Sequence, residues 1–320
     1  SGLLNQPVVL RVSANPHPQQ PIVRQSDCQG SMAQTNAYRP EAADALEMKR
    51  WVPERDLGVV GKVLPYVKET YVEYGRYAEA GVEEIFGERL KGMGEMEVTD
   101  LETRVWLNRG DHFEAGRMGE QAQWSPVYGV GVGDFDGDGN EDVVMAQNFF
   151  AVQAQTSRAD GGRGLVMRGD GKGGLEAMGG GESGVRVYGE GRGVAVGDFD
   201  EDGREDVVMA QNGGETKVYR NVGGKVGVRV RVRGGDGNPA GVGAVVRGRW
   251  EGSGWGGARE IHGGGGYWSQ DSMVVVLHGA GELQEVEVRW PGGRKTLHPV
   301  TPHTPQIEVE YRARQAPGDR

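Results

Sequence analysis

Sixteen residues of this sequence occur twice. Residues 133–148 read GDFDGDGNEDVVMAQN and residues 197–212 read GDFDEDGREDVVMAQN, 64 positions apart, differing only as Gly137 against Glu201 and Asn140 against Arg204. A match of this length marks an internal duplication, so the fold contains one supersecondary unit built at least twice. In each copy aspartates fall at loop positions 1, 3, 5 and 9: Asp134, Asp136, Asp138 and Asp142, then Asp198, Asp200, Asp202 and Asp206. Carboxylates crowded in this way repel one another strongly unless a cation sits between them. The loop calls for a cation.

Carboxylate and carbonyl oxygens are hard ligands, and no His or Cys is interleaved, which favours Ca²⁺ over the octahedral, water-retaining Mg²⁺. Gly139 and Gly203 at position 6 permit the sharp turn that brings positions 5 and 7 onto one ion. Position 7, Asn140 or Arg204, then contributes its backbone carbonyl, which is why an arginine is tolerated there. Two Ca²⁺ sites are expected. An EF-hand is excluded: its loop closes with a bidentate Glu at position 12, where this chain has Met145 and Met209. The flanks read as strands, with Val130 and Val132 before the first loop, Val143 and Val144 after it, and Val194 and Val196 before the second.

A strand, a nine-residue acidic loop and a second strand, recurring at this spacing, resemble the FG-GAP repeat (integrin α-type, also called VCBS-type), one per blade of a β-propeller. The resemblance implies an ion in the turn between the first two strands of each blade. Hairpins at 103–115, 164–177 and 216–228 supply the trailing strands, giving two blades, about 125–180 and 190–234, and half of a preceding one. Propellers close with ~4 to 8 blades. Either residues 1–100 hold divergent blades, or a longer chain supplies more, or partner chains complete the ring. The expected class is thus mainly β: calcium-binding propeller blades, in a ring that this chain either closes or leaves incomplete, with a helical insertion and a small antiparallel β-domain. The 57 glycines fit many short strands joined by tight turns.

Residues 1–56 are rich in Pro, Gln, Asn and Ser, with a strand-like run at 8–12 and prolines at 16, 18 and 21 that no central strand tolerates. Residues 57–100 change to a helical period: Thr70 to Glu73 reads as a capping box, and Val82, Ile85, Phe86 and Leu90 share a face that stops at Gly92. Pro65 divides the stretch into two or three short helices. Tyr66, Tyr71, Tyr74 and Tyr77 are read as packing against a neighbour rather than as a ligand platform.

Residues 101–224 hold the blades, and a second module follows over 225–312, leaving 313–320 as a tail. Val226, Val228, Val230 and Val232 alternate with Gly227, Arg229, Arg231 and Arg233, which predicts a strand with one apolar and one mostly cationic face. Three landmarks, GVGAVV (241–246), REIHGGGGYWSQDS (259–272) and VRWPGG (288–293), resemble the ASPIC/UnbV module that follows FG-GAP repeats in the cartilage acidic protein group, including its bacterial members. The stretch before Leu101 is similar to a helical insertion in those members. The resemblance implies a secreted, periplasmic or cell-surface Ca²⁺-binding protein of adhesion or interaction type, without enzymatic activity, whose partner is a protein or extracellular material.

A formal net charge of −10 argues against nucleic acid as a partner. No apolar run reaches membrane length, no signal peptide is read, and a start at Ser1-Gly2 rather than Met is that expected of a processed, truncated or tagged product. A single cysteine, Cys28, forms no intrachain disulfide. The six histidines lack zinc-site spacing. Glycine runs at 129–133 and 263–266 lack the strand-turn-helix context of a phosphate loop. Two other functions remain open: a carbohydrate site built from His262, Tyr267, Trp268, Ser269 and Gln270, and a structural subunit of a larger assembly.

Overall fold

The computed structural model describes residues 22–28, 31–38, 52–53, 56–92, 102–152 and 158–311. These fall into two compact units, one within residues 15–102 and one from Thr103 onward. The strand-like run at 8–12 lies outside the described residues.

In the first unit, β1 (Ile22–Cys28) and β2 (Ser31–Tyr38) pair antiparallel, and β3 (Val52–Pro53) adds to β2. Four short helices follow: α1 (Leu57–Val63), α2 (Pro65–Thr70), α3 (Tyr74–Glu79) and α4 (Val82–Phe86), ending in a 3₁₀ turn, Gly87–Gly92. Asp56 caps α1 by accepting from the Val59 amide at 2.9 Å. Pro65 opens α2, where its missing N–H costs nothing. The capping box expected at Thr70 to Glu73 does not form. Thr70 is the last residue of α2 and its hydroxyl donates to the Tyr66 carbonyl at 2.9 Å, so it is already satisfied within the helix. Half of such a pairing occurs at α4, where the Glu84 carboxylate accepts from the Gly81 amide at 3.3 Å, and Gly81 has no side chain to complete it. Val82, Ile85 and Phe86 are buried with Leu57, Val67 and Tyr77, and Tyr66, Tyr71 and Leu90 pack against them. Tyr74 alone of the four tyrosines is largely exposed.

The second unit opens with a hairpin, β4 (Arg104–Asn108) and β5 (Phe113–Arg117). The first repeat forms a four-stranded antiparallel sheet in sequence order: β6 (Val127–Gly133), β7 (Asp142–Gln147), β8 (Leu165–Gly169) and β9 (Leu175–Met178). The second forms a three-stranded sheet of β10 (Glu190–Gly197), β11 (Asp206–Asn212) and β12 (Lys217–Tyr219). A fourth strand, expected within 216–228, is not made. Residues beyond Arg220 are held by the acidic loops instead: the Lys225 amide donates to the Asp136 carbonyl at 3.1 Å and the Gly227 amide to the Gly203 carbonyl at 2.7 Å.

The two sheets stack face to face, and glycine makes the close approach of β6 to β10 feasible. A Cβ at Gly129 would lie 2.4 Å from the Arg192 carbonyl oxygen, and one at Gly131 would lie 2.7 Å from a Val196 methyl. Val144 and Ala146 of β7 pack with Val194, Val196, Val207 and Met209 of the second sheet. Val143 and Met145, on the opposite face, pack with Val105, Leu165 and Met167 beneath the first hairpin. Covered on both faces, β7 is buried along its whole length, which is why its sequence DVVMAQ shows no alternation.

The last part of the unit is a two-sheet β-module. Its strands are β13 (Val228–Arg233), β14 (Val245–Trp250), β15 (Gly254–Trp255), β16 (Arg259–Glu260), β17 (Val274–Leu277), β18 (Leu283–Arg289), β19 (Lys295–Pro299) and β20 (Gln306–Glu310). One sheet runs β17-β13-β20 and the other β15-β14-β18-β19, with β16 also on β14. All pairs are antiparallel except β13 with β20. Between the sheets lie Val230, Val232, Val246, Trp250, Ile261, Leu277, Val286, Val288 and Trp290. The expected cationic face of β13 is corrected in one respect: Arg229 is buried, because it reaches an aspartate of the second loop.

Residues 267–272 of this module lie on the second sheet much as the second sheet lies on the first. Gly193 is the counterpart of Gly129, and a Cβ there would meet the Tyr267 and Trp268 carbonyls and the Ser269 side chain. The Val196 amide donates to Asp271 Oδ1 and the Ser272 amide to the Val196 carbonyl, both at 2.8 Å.

Candidate metal centre

Each acidic loop links the first two strands of its sheet, and its backbone folds around the carboxylate at position 1. In the first loop Asp134 Oδ1 accepts from the Gly137 and Asp138 amides at 2.8 and 3.0 Å, and Oδ2 accepts from Gly139 at 2.7 Å. Gly139 adopts φ +96°, the left-handed region that the tight turn requires. Asp138 accepts from the amide and the side chain of Asn140 at 2.8 and 3.0 Å. Carboxylate oxygens of Asp134, Asp136 and Asp138 converge to within 4.8 Å of one another. Asp142 stands outside that group; its two oxygens accept from the Phe135 and Gly169 amides, both at 2.9 Å.

The second loop repeats this scaffold. Asp198 accepts from the Asp202 and Gly203 amides at 3.0 and 2.9 Å, and Gly203 has φ +84°. Asp206 accepts from the Phe199 and Asn221 amides at 3.0 and 2.7 Å. Here the converging carboxylates are Asp198, Asp200 and Asp206, again within 4.8 Å. Asp202 is drawn aside by Arg204, whose Nη1 lies 2.9 Å from it, and these contacts hold its pKa below the ordinary value despite the cost of burial. The Arg204 side chain, expected to be a bystander, therefore neutralises a loop carboxylate and also donates to the Gly224 carbonyl at 2.6 Å.

Around the loops lies a layer of charge that the loop pattern did not announce. Arg168 Nε sits 2.8 Å from Asp136, and Arg220 occupies the equivalent place on Asp200. Arg229 Nε lies 2.9 Å from Asp198 with both side chains buried. Arg259 reaches Glu141 at 2.9 Å and Glu205 at 2.8 Å, the position-8 residues of both loops, and also donates to the Val276 carbonyl. Glu205 in turn accepts from the Asp134 amide at 2.7 Å, so the second loop braces the first. Burial lifts the pKa of Glu205; it disfavours the charge of Arg259, but Glu141 and Glu205 outweigh it and hold that guanidinium above its ordinary value. His278 is buried, with Nδ1 3.5 Å from Asp134 Oδ2 and no directed hydrogen-bond partner on either ring nitrogen. Burial pushes its pKa down against the pull of Asp134. Burial also raises Asp134, and raises Asp142 to about 6.

This donor set fits a hard divalent cation. The converging groups are carboxylate oxygens, the amides that bind Asp134 and Asp198 fix their orientation, and unneutralised charge remains on the first loop. The sequence could have flagged Glu141 and Glu205, since position 8 is identical in both copies while positions 4 and 7 are not. Arg229, Arg259 and His278 come from the C-terminal module and carry no local signature.

Of the other candidates, Tyr267 and Trp268 meet edge to face at 6.5 Å, with Trp268 91% exposed. Gln270 is folded back on the His262 and Asp271 carbonyls.

With this geometry in view, the β-module that contributes Arg259 and His278 can be classed: residues 234–316 match the family described as ASPIC and UnbV. No curated protein matches the chain. None of the described helices is long and apolar enough to cross a membrane.

Proposed function

We propose that the two stacked sheets are FG-GAP-type propeller blades braced by Ca²⁺, and that the chain is a non-catalytic, extracytoplasmic interaction module related to the cartilage acidic protein group. The observation that carries this is the duplicated loop, which converges three carboxylates at the same turn of two stacked sheets. Bound calcium would neutralise the loops and fix the strand pairs they join, leaving the outer faces to meet a protein or extracellular partner. Asp134, Asp136, Asp138 and Asp142 are the side-chain ligands of the first site, and Asp198, Asp200, Asp202 and Asp206 those of the second. Asn140 and Arg204 would add their carbonyls. Isothermal titration of chelator-treated protein with CaCl₂ tests this, and the absence of saturable binding at millimolar calcium would remove the reading.

One observation favours a second reading, a carbohydrate site. Trp268 is exposed and held at φ +49°, on a loop pinned to the second sheet through Asp271. A strained, exposed indole beside Tyr267 offers a face on which a sugar ring stacks. A glycan array at fixed calcium separates the readings, because Trp268→Ala abolishes binding only under the second.

A further inference from the structure

Although the loops are nearly identical in sequence, their surroundings are not. Position 3 is matched by an arginine in both, Arg168 on Asp136 and Arg220 on Asp200. Position 1 differs: Asp134 faces the imidazole of His278, whereas Asp198 faces the guanidinium of Arg229. Position 5 differs as well, since Asp138 is met by the neutral amide of Asn140 and Asp202 by Arg204, with Arg220 also 3.4 Å away. The second loop thus has two guanidiniums, Arg204 and Arg229, paired directly with aspartates whose counterparts in the first loop have none, and Glu201, 3.1 Å from Arg229, offsets part of that charge. A second, independent feature points into the first loop. His278 is 8% exposed, its Nδ1 is directed at Asp134 at 3.5 Å, and neither ring nitrogen makes a hydrogen bond of ordinary geometry, although the Gly203 backbone of the second loop also acts on it.

We infer, resting on the calcium reading above, that the two loops are unequal metal sites: the first is the high-affinity one, and the second has its carboxylates largely neutralised by the chain's own arginines and binds calcium weakly. A divalent ion entering the first loop meets three converging aspartates of which only Asp136 is paired directly with a guanidinium, Arg259 acting on Asp134 from its seat between Glu141 and Glu205. One entering the second must compete with guanidiniums already seated on its ligands. Each uncompensated unit charge within a few ångströms of a divalent ion shifts its affinity on the order of tenfold even in a well-screened site. The C-terminal module therefore sets the metal preference of both loops, through His278 at one and Arg229 at the other. Duplication of the loop produced one calcium site and one arginine-latched copy of it.

Isothermal titration of the full chain with CaCl₂, after chelator treatment, resolves the sites, with Tb³⁺ luminescence as an independent readout. The expected result is two classes of site at least tenfold apart, the tight one lost in Asp136→Asn/Asp138→Asn and retained in Asp200→Asn/Asp202→Asn. The reciprocal exchange Asn140→Arg/Arg204→Asn makes each loop resemble the other at its most exposed difference, and narrows or reverses the gap. Two sites of equal affinity, or a tight site that disappears with Asp200 and Asp202 instead, would overturn the inference while leaving the calcium reading intact. No binding at either loop would overturn that reading itself. Circular dichroism of each variant confirms that a lost site is not a lost fold.

Discussion

Replacing Arg259 by methionine tests whether the loops and the C-terminal module are fastened through one buried ion-pair cluster. The guanidinium is 15% exposed and sits between Glu205, 9% exposed, and Glu141, 39% exposed. Methionine retains most of the stem's packing but strands Glu205, whose second oxygen is already committed to the Asp134 amide. Removing one partner of a buried pair costs about 3–5 kcal/mol, whereas the more exposed Glu141 arm adds at most about 1 kcal/mol. Against a stability of roughly 5–15 kcal/mol, this is a large fraction of the total. Urea unfolding at saturating calcium, followed by tryptophan fluorescence, measures it. In Arg259→Met/Glu205→Gln the stranded charge is gone, so the double variant is more stable than the sum of the two single losses allows, by about 1–3 kcal/mol. A loss below ~1 kcal/mol for Arg259→Met, or strict additivity with Glu205→Gln, would refute the reasoning.

Three further outcomes follow from the same geometry. Gly203→Ala strains a backbone held at φ +84° and brings a Cβ to 2.7 Å from a Val226 methyl; it lowers stability by at least about 1–2 kcal/mol in urea unfolding, and a neutral result contradicts the assigned turn. In a Cys28→Ser background, Gly193→Cys/Ser269→Cys places two thiols with a Cβ separation near 3.7 Å and oxidises to a disulfide, whereas two titratable thiols after oxidation would show that residues 267–272 do not cover the second sheet. Asp142 rises in the folded, metal-free chain from 3.8 to about 6, so it binds protons more tightly folded than unfolded. Its stabilising contribution is complete below about pH 4 and is lost as pH rises through about 6. Calcium bound as proposed would displace those protons, so the expected calcium-dependent rise in melting temperature is larger at about pH 7.5 than at about pH 5, and an equal rise at both contradicts the assignment.

What the sequence made legible, and what it did not, divides by the range of the interactions. The loop scaffold was local: aspartate at position 1, glycine at position 6 and the flanking valines are all within one turn, and the chain folds them as their chemistry requires. The hairpins at 104–117 and 165–178 were equally readable from alternation and turn residues. The missing fourth strand of the second sheet was not, because residues 221–227 are recruited by carbonyls of both loops, a competition that no local pattern records. Arg229 looked like one member of a solvated cationic face, and only the docking of β13 beside the second loop turns it inward. His278 and Arg259 were likewise invisible as site residues. They lie 144 and 54 positions from the groups they meet, Asp134 and Glu205, and neither belongs to a spaced motif. The helical segment failed at its cap for a smaller reason: Thr70 found an acceptor one turn back in its own helix.

In the proposed role, calcium held by the acidic loops ties the sheets together. Thermal unfolding of the full chain in chelator and in millimolar CaCl₂ addresses it most directly. The expected result is a saturable rise in melting temperature with calcium, corresponding to about 2.7 kcal/mol at a free concentration a hundredfold above the dissociation constant, and sharply reduced by Asp136→Asn/Asp138→Asn. A melting temperature that is the same in chelator and in calcium would contradict it.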